Sequence, residues 1–299
     1  MGSTTEHTVP AVHLAISKQR GEARLSYGDN YKNFLKIWIQ IYLYQHFGIS
    51  SMTVPCEFNV VDGLIGLGPD ILLEILSESR LIPDAIKFLG VNKKTVQLMK
   101  HARFLRIIET LNFPIAIINP NPDVFELIDI DGVKKQIIKK FTAAKTISLS
   151  QVLEDGIWEV EMEFSDNSGA GVGIICDSLN IPADNAPGNS PIKEHTAIQY
   201  NNDWGDDKVQ CKGNEIPGNA GFKGKQKVKQ QFDSEKGTLI FFIDGVQKPV
   251  YITGINEKVR FIVCWWHPRS SFIIHSLKKL LRPTSVHLEN EIAIQWQKK

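Results

Sequence analysis

The chain has 299 residues, 34 Lys and Arg against 33 Asp and Glu, a formal net charge of +1, and 42% hydrophobic against 22% charged residues. This balance can build a core, and it excludes a disordered polyelectrolyte. It also supplies no overall field to hold a polyanion or an anionic bilayer, so neither nucleic acid nor a membrane is an expected partner.

The length suits two compact domains. Cys56, Cys176, Cys211 and Cys264 lie far apart, with no C-x-x-C pair and no zinc-ligand spacing, and read as reduced thiols. With no N-x-[ST] site and no signal pattern at the N-terminus, the expected location is cytoplasmic or nuclear. Residues 1–60 carry no assignable function. Their apolar run from Phe34 to Tyr44 is broken by Lys36 and Gln40 and is too short to cross ~30 Å of hydrocarbon.

From Pro69 to Leu111 apolar residues recur at helical spacing. Pro69 suits the first turn of a helix carrying Ile71, Leu72, Ile75 and Leu76 and ending near Ser79. Pro83 opens a second helix that Gly90 should close as a left-handed cap. Asn92 caps a third, with Val96, Leu98 and Met99, and a fourth runs from Phe104 to Leu111. Each is too short to persist alone, so the helices must pack on one another or on a partner.

Pro114, Pro120 and Pro122 end the helical period, and a boundary is expected after Asn112. Residues 157–164 alternate strictly, with Trp158, Val160, Met162 and Phe164 on one face and Glu159, Glu161 and Glu163 on the other. Asp244-Gly245 joins Thr238–Ile243 to Val246–Ile252 as a tight hairpin, and Asp131-Gly132 joins Val124–Ile128 to Val133–Ile138. Further strands are expected at 172–175, 196–200, 208–211, 227–232, 259–265 and 271–277. About ten short strands without crossover helices predict a mainly β chain, a bent antiparallel two-sheet β-sandwich preceded by a small helical segment.

The search for chemistry yields no enzyme. The three glutamates suit a solvated sheet face, and Cys264 lacks the electropositive setting of a nucleophile despite His267 and His275 nearby. Gly218–Gln226 fails as a phosphate loop because no Ser or Thr follows Lys225, and Asp129-Ile130-Asp131-Gly132 fails as a calcium loop because Lys140 stands where glutamate is needed. No cofactor and no metal are expected.

Two stretches resemble known families. Gly156-Ile157-Trp158-Glu159-Val160-Glu161 with Ala170-Gly171-Val172-Gly173-Ile174, followed by Phe232-Asp233-Ser234-Glu235-Lys236-Gly237-Thr238-Leu239-Ile240-Phe241-Phe242-Ile243-Asp244-Gly245-Val246, resembles a SPRY domain over residues 115–282. The resemblance implies a non-catalytic sandwich that binds protein segments through its loops. Within it, Val263-Cys264-Trp265-Trp266-His267 is similar to the segment lining the peptide pocket, and Asp184 and Asn185 fall in a variable binding loop. One of Trp265 and Trp266 should be exposed and the other core, since strand neighbours face opposite ways.

The stretch Leu67-Gly68-Pro69-Asp70-Ile71-Leu72-Leu73-Glu74-Ile75-Leu76-Ser77, with Asp84-Ala85 and Val91-Asn92-Lys93-Lys94-Thr95-Val96-Gln97-Leu98, looks like a degenerate F-box over 64–112. It implies docking on the Skp-type linker subunit of a cullin ubiquitin ligase through Leu67, Pro69, Ile71, Leu72, Ile75 and Leu76. The combined expectation is a substrate-recognition subunit. The alternative is a SPRY scaffold with no ligase link, and residues 283–299 are expected to be a tail.

Overall fold

The structure, a computed structural model, describes residues 66–140, 145–166, 169–183, 186–201, 207–267 and 270–296. Proline sits in the first turn of the first two described helices, α1 (Pro69–Ser77) and α2 (Ile82–Leu89), where a missing N–H costs nothing. Helix α3 (Lys93–Gln97) is held by a reciprocal cap: the Asn92 side chain accepts from the Lys94 and Thr95 amides, and Thr95 Oγ1 accepts from the Asn92 amide. Helix α4 (Ala102–Thr110) follows. Gly90 closes α2 in the right-handed region, φ −73°, so the expected left-handed cap is not formed.

The helices do not stand apart. Leu72, Leu73, Leu76, Ile86, Leu89, Phe104 and Ile108 are buried in an apolar core continuous with that of the strands. Phe113, just past the expected boundary, stacks obliquely on Trp158 at 4.8 Å, and its amide donates to Leu277 O at 2.7 Å. Arg80 reaches Asp131 in the turn of a β-hairpin at 2.7 Å.

Among the described residues sixteen strands, numbered in chain order, form two sheets. The first runs β1 (Ile117–Ile118), β4 (Lys145–Leu153), β14 (Val259–Trp265), β6 (Ala170–Cys176), β7 (Thr196–Tyr200), β8 (Lys208–Cys211), β9 (Asn214–Pro217). The second runs β16 (Ile292–Gln295), β13 (Val250–Thr253), β11 (Thr238–Ile243), β10 (Lys227–Asp233), β5 (Ile157–Phe164), β15 (Ser271–Leu280), β3 (Lys135–Lys139), β2 (Phe125–Asp129), with β12 (Val246–Gln247) on β11. Every pairing is antiparallel except β13 with β16. The expected sandwich is therefore present, with more strands than the sequence showed. Alternate side chains of the two inner faces, Val160, Met162 and Phe164 from one sheet and Phe261, Val263 and Trp265 from the other, fill the space between them.

Two features lie outside the expected plan. Residues 177–183 and 186–195 form a strap on the outer face of the first sheet, where Leu179, Ile181 and Ile192 pack with Ile175, Ile198, Tyr200, Ile262 and Cys264 to make a second small core. Arg260 ties this strap down by donating to Asp177 O at 3.3 Å and Leu179 O at 3.1 Å. Beneath the strap β6 and β7 approach so closely that a Cβ on Gly173 would fall 1.8 Å from Ala197 O.

The second feature corrects the expected tail. After β15 the chain runs over the outer face of the second sheet, where Gln231 bonds Thr284 and Ser285 and Gln247 bonds Val286. It then adds β16 and buries Trp296 completely, under Lys212 Nζ at 4.2 Å from the ring centroid and with its indole N–H on Glu257. The sandwich thus extends past residue 282 and closes with a side chain from 296.

Candidate functional site

Strand register brings four connections to one end of the sandwich. Trp265 pairs with both Ala170 and Lys145, Gly171 with Tyr200, and Phe272 with Phe164, so the links β3–β4, β5–β6, β7–β8 and β14–β15 share one rim. The strap reaches the same rim, since Lys145 Nζ donates to Ala183 O at 2.9 Å.

At this rim the two tryptophans part. Trp265 is 1% exposed, its ring 4.9 Å from both Phe125 and Phe272, whereas Trp266 is 46% exposed. The alternation of a strand makes this division: Trp265 shares the inner face with Val263 and Phe261, two and four residues earlier on β14, and Trp266 falls on the other side. Trp266 is held at its backbone: its amide donates to Gly169 O at 2.7 Å and its carbonyl accepts from Lys139 Nζ at 2.7 Å. Lys139 also donates to Trp265 O at 2.9 Å. The Lys139 side chain is fully buried, and burial, with the Lys145 charge as a second cause, pulls its pKa from the usual 10.5 down to about 8. No sequence signal singled out this lysine, because a lysine at a strand end ordinarily points to solvent.

His267 is exposed beside Trp266. Asp184 and Asn185 lie outside the described residues, and only their neighbour Ala183 is placed, against Lys145.

The six residues expected to dock a linker subunit divide. Pro69 is exposed, as are Ile71 (53%) and Ile75 (39%), and Leu67 is partly buried. Leu72 and Leu76 are completely buried in the molecule's own core and are not available to a partner. Both lie on the face of α1 that packs inward, while Ile71 and Ile75, one turn apart, share the outer face. Thr95, where the resembled family commonly has tryptophan, is buried and donates to Leu89 O at 2.8 Å.

The remaining chemical candidates are held in structural roles. Glu159 and Glu161 are ion-paired across the sheet with Lys229 and Lys227, and Glu163 Oε2 lies 3.2 Å from His275 Nε2. Burial pushes the Cys264 thiol far up and Cys211 to about 11, away from nucleophilic use. Among the described residues no group of three or more His, Cys, Asp or Glu is placed to hold a metal ion. No described helix is long and apolar enough to cross a membrane.

No family model and no curated protein matches the chain. Among solved structures it is similar to the PSpry domain of TRIM65, at 13% identity and a TM-score of 0.42 over 54% of this chain and 88% of that one. It is similar also to the SPRY domain of human HERC1, at 10% identity and a TM-score of 0.40 over 55% of this chain and 99% of that one. A carbohydrate-binding module, CBM66 from Bacillus subtilis, is similar at 13% identity and a TM-score of 0.35 over 56% of this chain and 97% of that one. Likenesses this distant say nothing of what the chain binds. The strand pairing described above is what defines the fold.

Proposed function

We propose that the chain is a non-catalytic protein-interaction module that captures a segment of another protein on the rim around Trp266. The observation that carries this reading is the 46% exposure of an indole whose backbone is fixed on both sides by buried partners. A rigid, exposed aromatic surrounded by loops is the kind of anchor that contributes ~2 kcal/mol or more to binding, because little order is lost when it is covered. Panning a random peptide display library against the full chain tests the reading. Selected peptides should bind Trp266→Ala about 30-fold more weakly, the equivalent of ~2 kcal/mol. Equal affinity for the two proteins would remove the rim from the function.

The finer reading makes the module a substrate-recognition subunit of a cullin-type ligase, with α1 docking on a Skp-type linker. Its support is the pair Ile71 and Ile75, apolar side chains left exposed one turn apart on a helix whose other face is fully packed. Co-elution of the full chain with a Skp-type subunit, abolished by Ile71→Asp/Ile75→Asp, is the expected result. Failure to co-elute leaves the scaffold without a ligase link.

A further inference from the structure

From Leu281 to Trp296 the chain forms an arm of which Trp296 alone is buried. A segment of a sheet interior buries alternate residues along its length, whereas a docked peptide lies on the surface and commits an anchor side chain. The arm has the second pattern, and its attachments are those of a bound peptide. Gln231 Oε1 accepts from the Thr284 amide and Gln231 Nε2 donates to Ser285 Oγ, each at 2.8 Å. Gln247 accepts from the Val286 amide and donates to the Val286 carbonyl, again at 2.8 Å. Two glutamines of the sheet thus grip main chain that belongs to no strand.

Strand β16 then adds to β13 in parallel, the sole such pairing among the described strands, with Ile292 N on Pro249 O and Trp296 N on Thr253 O, both at 2.9 Å. Ile294 packs against the core and Trp296 enters it. The indole has a fitted seat: Lys212 Nζ stands 4.2 Å from its centroid, Glu257 accepts its N–H, and those two side chains are themselves paired at 3.1 Å. Glu257 precedes β14 and Trp266 follows it, so this seat and the rim lie at opposite ends of that strand.

We infer that β13 and the indole seat form a second protein-binding site, for an extended segment of the pattern apolar-x-apolar-x-Trp, and that the arm is its resident ligand, held in cis. The arm itself specifies the occupant. The edge of β13 pairs with main chain, Ile292 and Ile294 set the apolar positions, and Lys212 with Glu257 selects an indole by a cation over its face and an acceptor at its N–H. A segment of this pattern from another protein enters by displacing the arm. Its tether holds the arm at about millimolar effective concentration, so the site opens to others when the arm is weakened or drawn away.

The test is fluorescence anisotropy with a labelled synthetic peptide of residues 283–299 and the full chain. The Trp296→Ala chain should bind the peptide at least about tenfold more tightly than the native chain, whose arm competes. A peptide carrying the same Trp296→Ala change should not bind, and adding Trp266→Ala to the chain should leave the affinity unchanged, which separates this site from the rim. Equal affinity for the two chains, no binding to a folded Trp296→Ala chain, or loss with Trp266→Ala overturns the inference. Should Trp296→Ala fail to fold, hydrogen exchange of the native chain decides. The amides of Ile292 and Trp296 should then exchange as one group, at least about tenfold faster than those of β10. Exchange in step with β10 makes the arm an integral part of the core and overturns the inference equally. Dimerisation of the native chain with rising concentration would give the seat to arms exchanged between copies, and so rules out the foreign ligand.

Discussion

The ammonium of Lys139 lies 2.7 Å from the carbonyl oxygen of Trp266 and 2.9 Å from that of Trp265, so one buried cation holds the strand end from which the exposed indole projects. Lys139→Met keeps the apolar stem and deletes both bonds, at a cost of about 1–3 kcal/mol. Hydrogen exchange should quicken at residues 265–267 before it does elsewhere, and rim binding should weaken although Lys139 itself never meets the target.

The two adjacent tryptophans should separate stability from recognition. Trp265→Ala empties a site packed by Phe125 and Phe272 and is expected to cost about 3–5 kcal/mol in denaturant unfolding. Trp266→Ala should change the unfolding midpoint by no more than about 0.5 kcal/mol. Trp265→Phe should cost less than alanine, since the indole N–H of Trp265 is buried without an acceptor and its loss removes no bond.

Stability should pass through a maximum near pH 9. Lys139 and Lys279 both have pKa values lowered by burial from 10.5 to about 8, so between those values the unfolded chain binds more protons and folding gains as pH rises. Cys176 is pushed up to about 12 and Cys211 to about 11, with Cys264 raised further, chiefly by burial. These thiols ionise first in the unfolded state, so above about pH 9 folding loses what the lysines gave. Urea midpoints at intervals from pH 7.5 to 10.5 read the curve, and Lys139→Met should flatten its rising limb.

On α1, two residues a single position apart should behave oppositely. Ile71→Asp meets solvent and should leave the unfolding midpoint nearly unchanged. Leu72→Asp would bury an unpaired carboxylate in the shared core and cost 3 kcal/mol or more, by order of magnitude. Thermal melts of the two variants side by side decide it.

The β-sandwich was legible where strands alternate strongly or turn on Asp-Gly. Asp244 and Gly245 take φ of 50° and 78°, as a tight hairpin requires. Strands 196–200, 208–211 and 259–265 begin and end where the pattern placed them. Strand β4 escaped notice although Ile147 and Leu149 alternate with Thr146 and Ser148, because small hydroxyl residues read as a wet face. Here they pair with Cys264 and Ile262 of β14 and are buried, with both hydroxyls lacking a partner. On α1 the period was right, but helical spacing alone does not say which apolar residues meet the chain's own core and which are left over. At the rim, alternation showed that one tryptophan would be exposed, and only the inward stacking on Phe125 and Phe272 decided which.

The burial of Trp296 bears on how the molecule can assemble. Its ring settles against Lys212, and the carbonyl of the preceding Gln295 lies 3.9 Å from Cys211 Sγ, partners more than eighty positions earlier. Closing so long a loop is entropically expensive, and chains dominated by such distant pairings fold slowly. During synthesis, strands β4 to β15 must wait with one flank of their interior uncovered until residue 296 has left the ribosome. A chaperone that shields apolar surface should therefore engage the nascent chain late and let go only after that indole arrives.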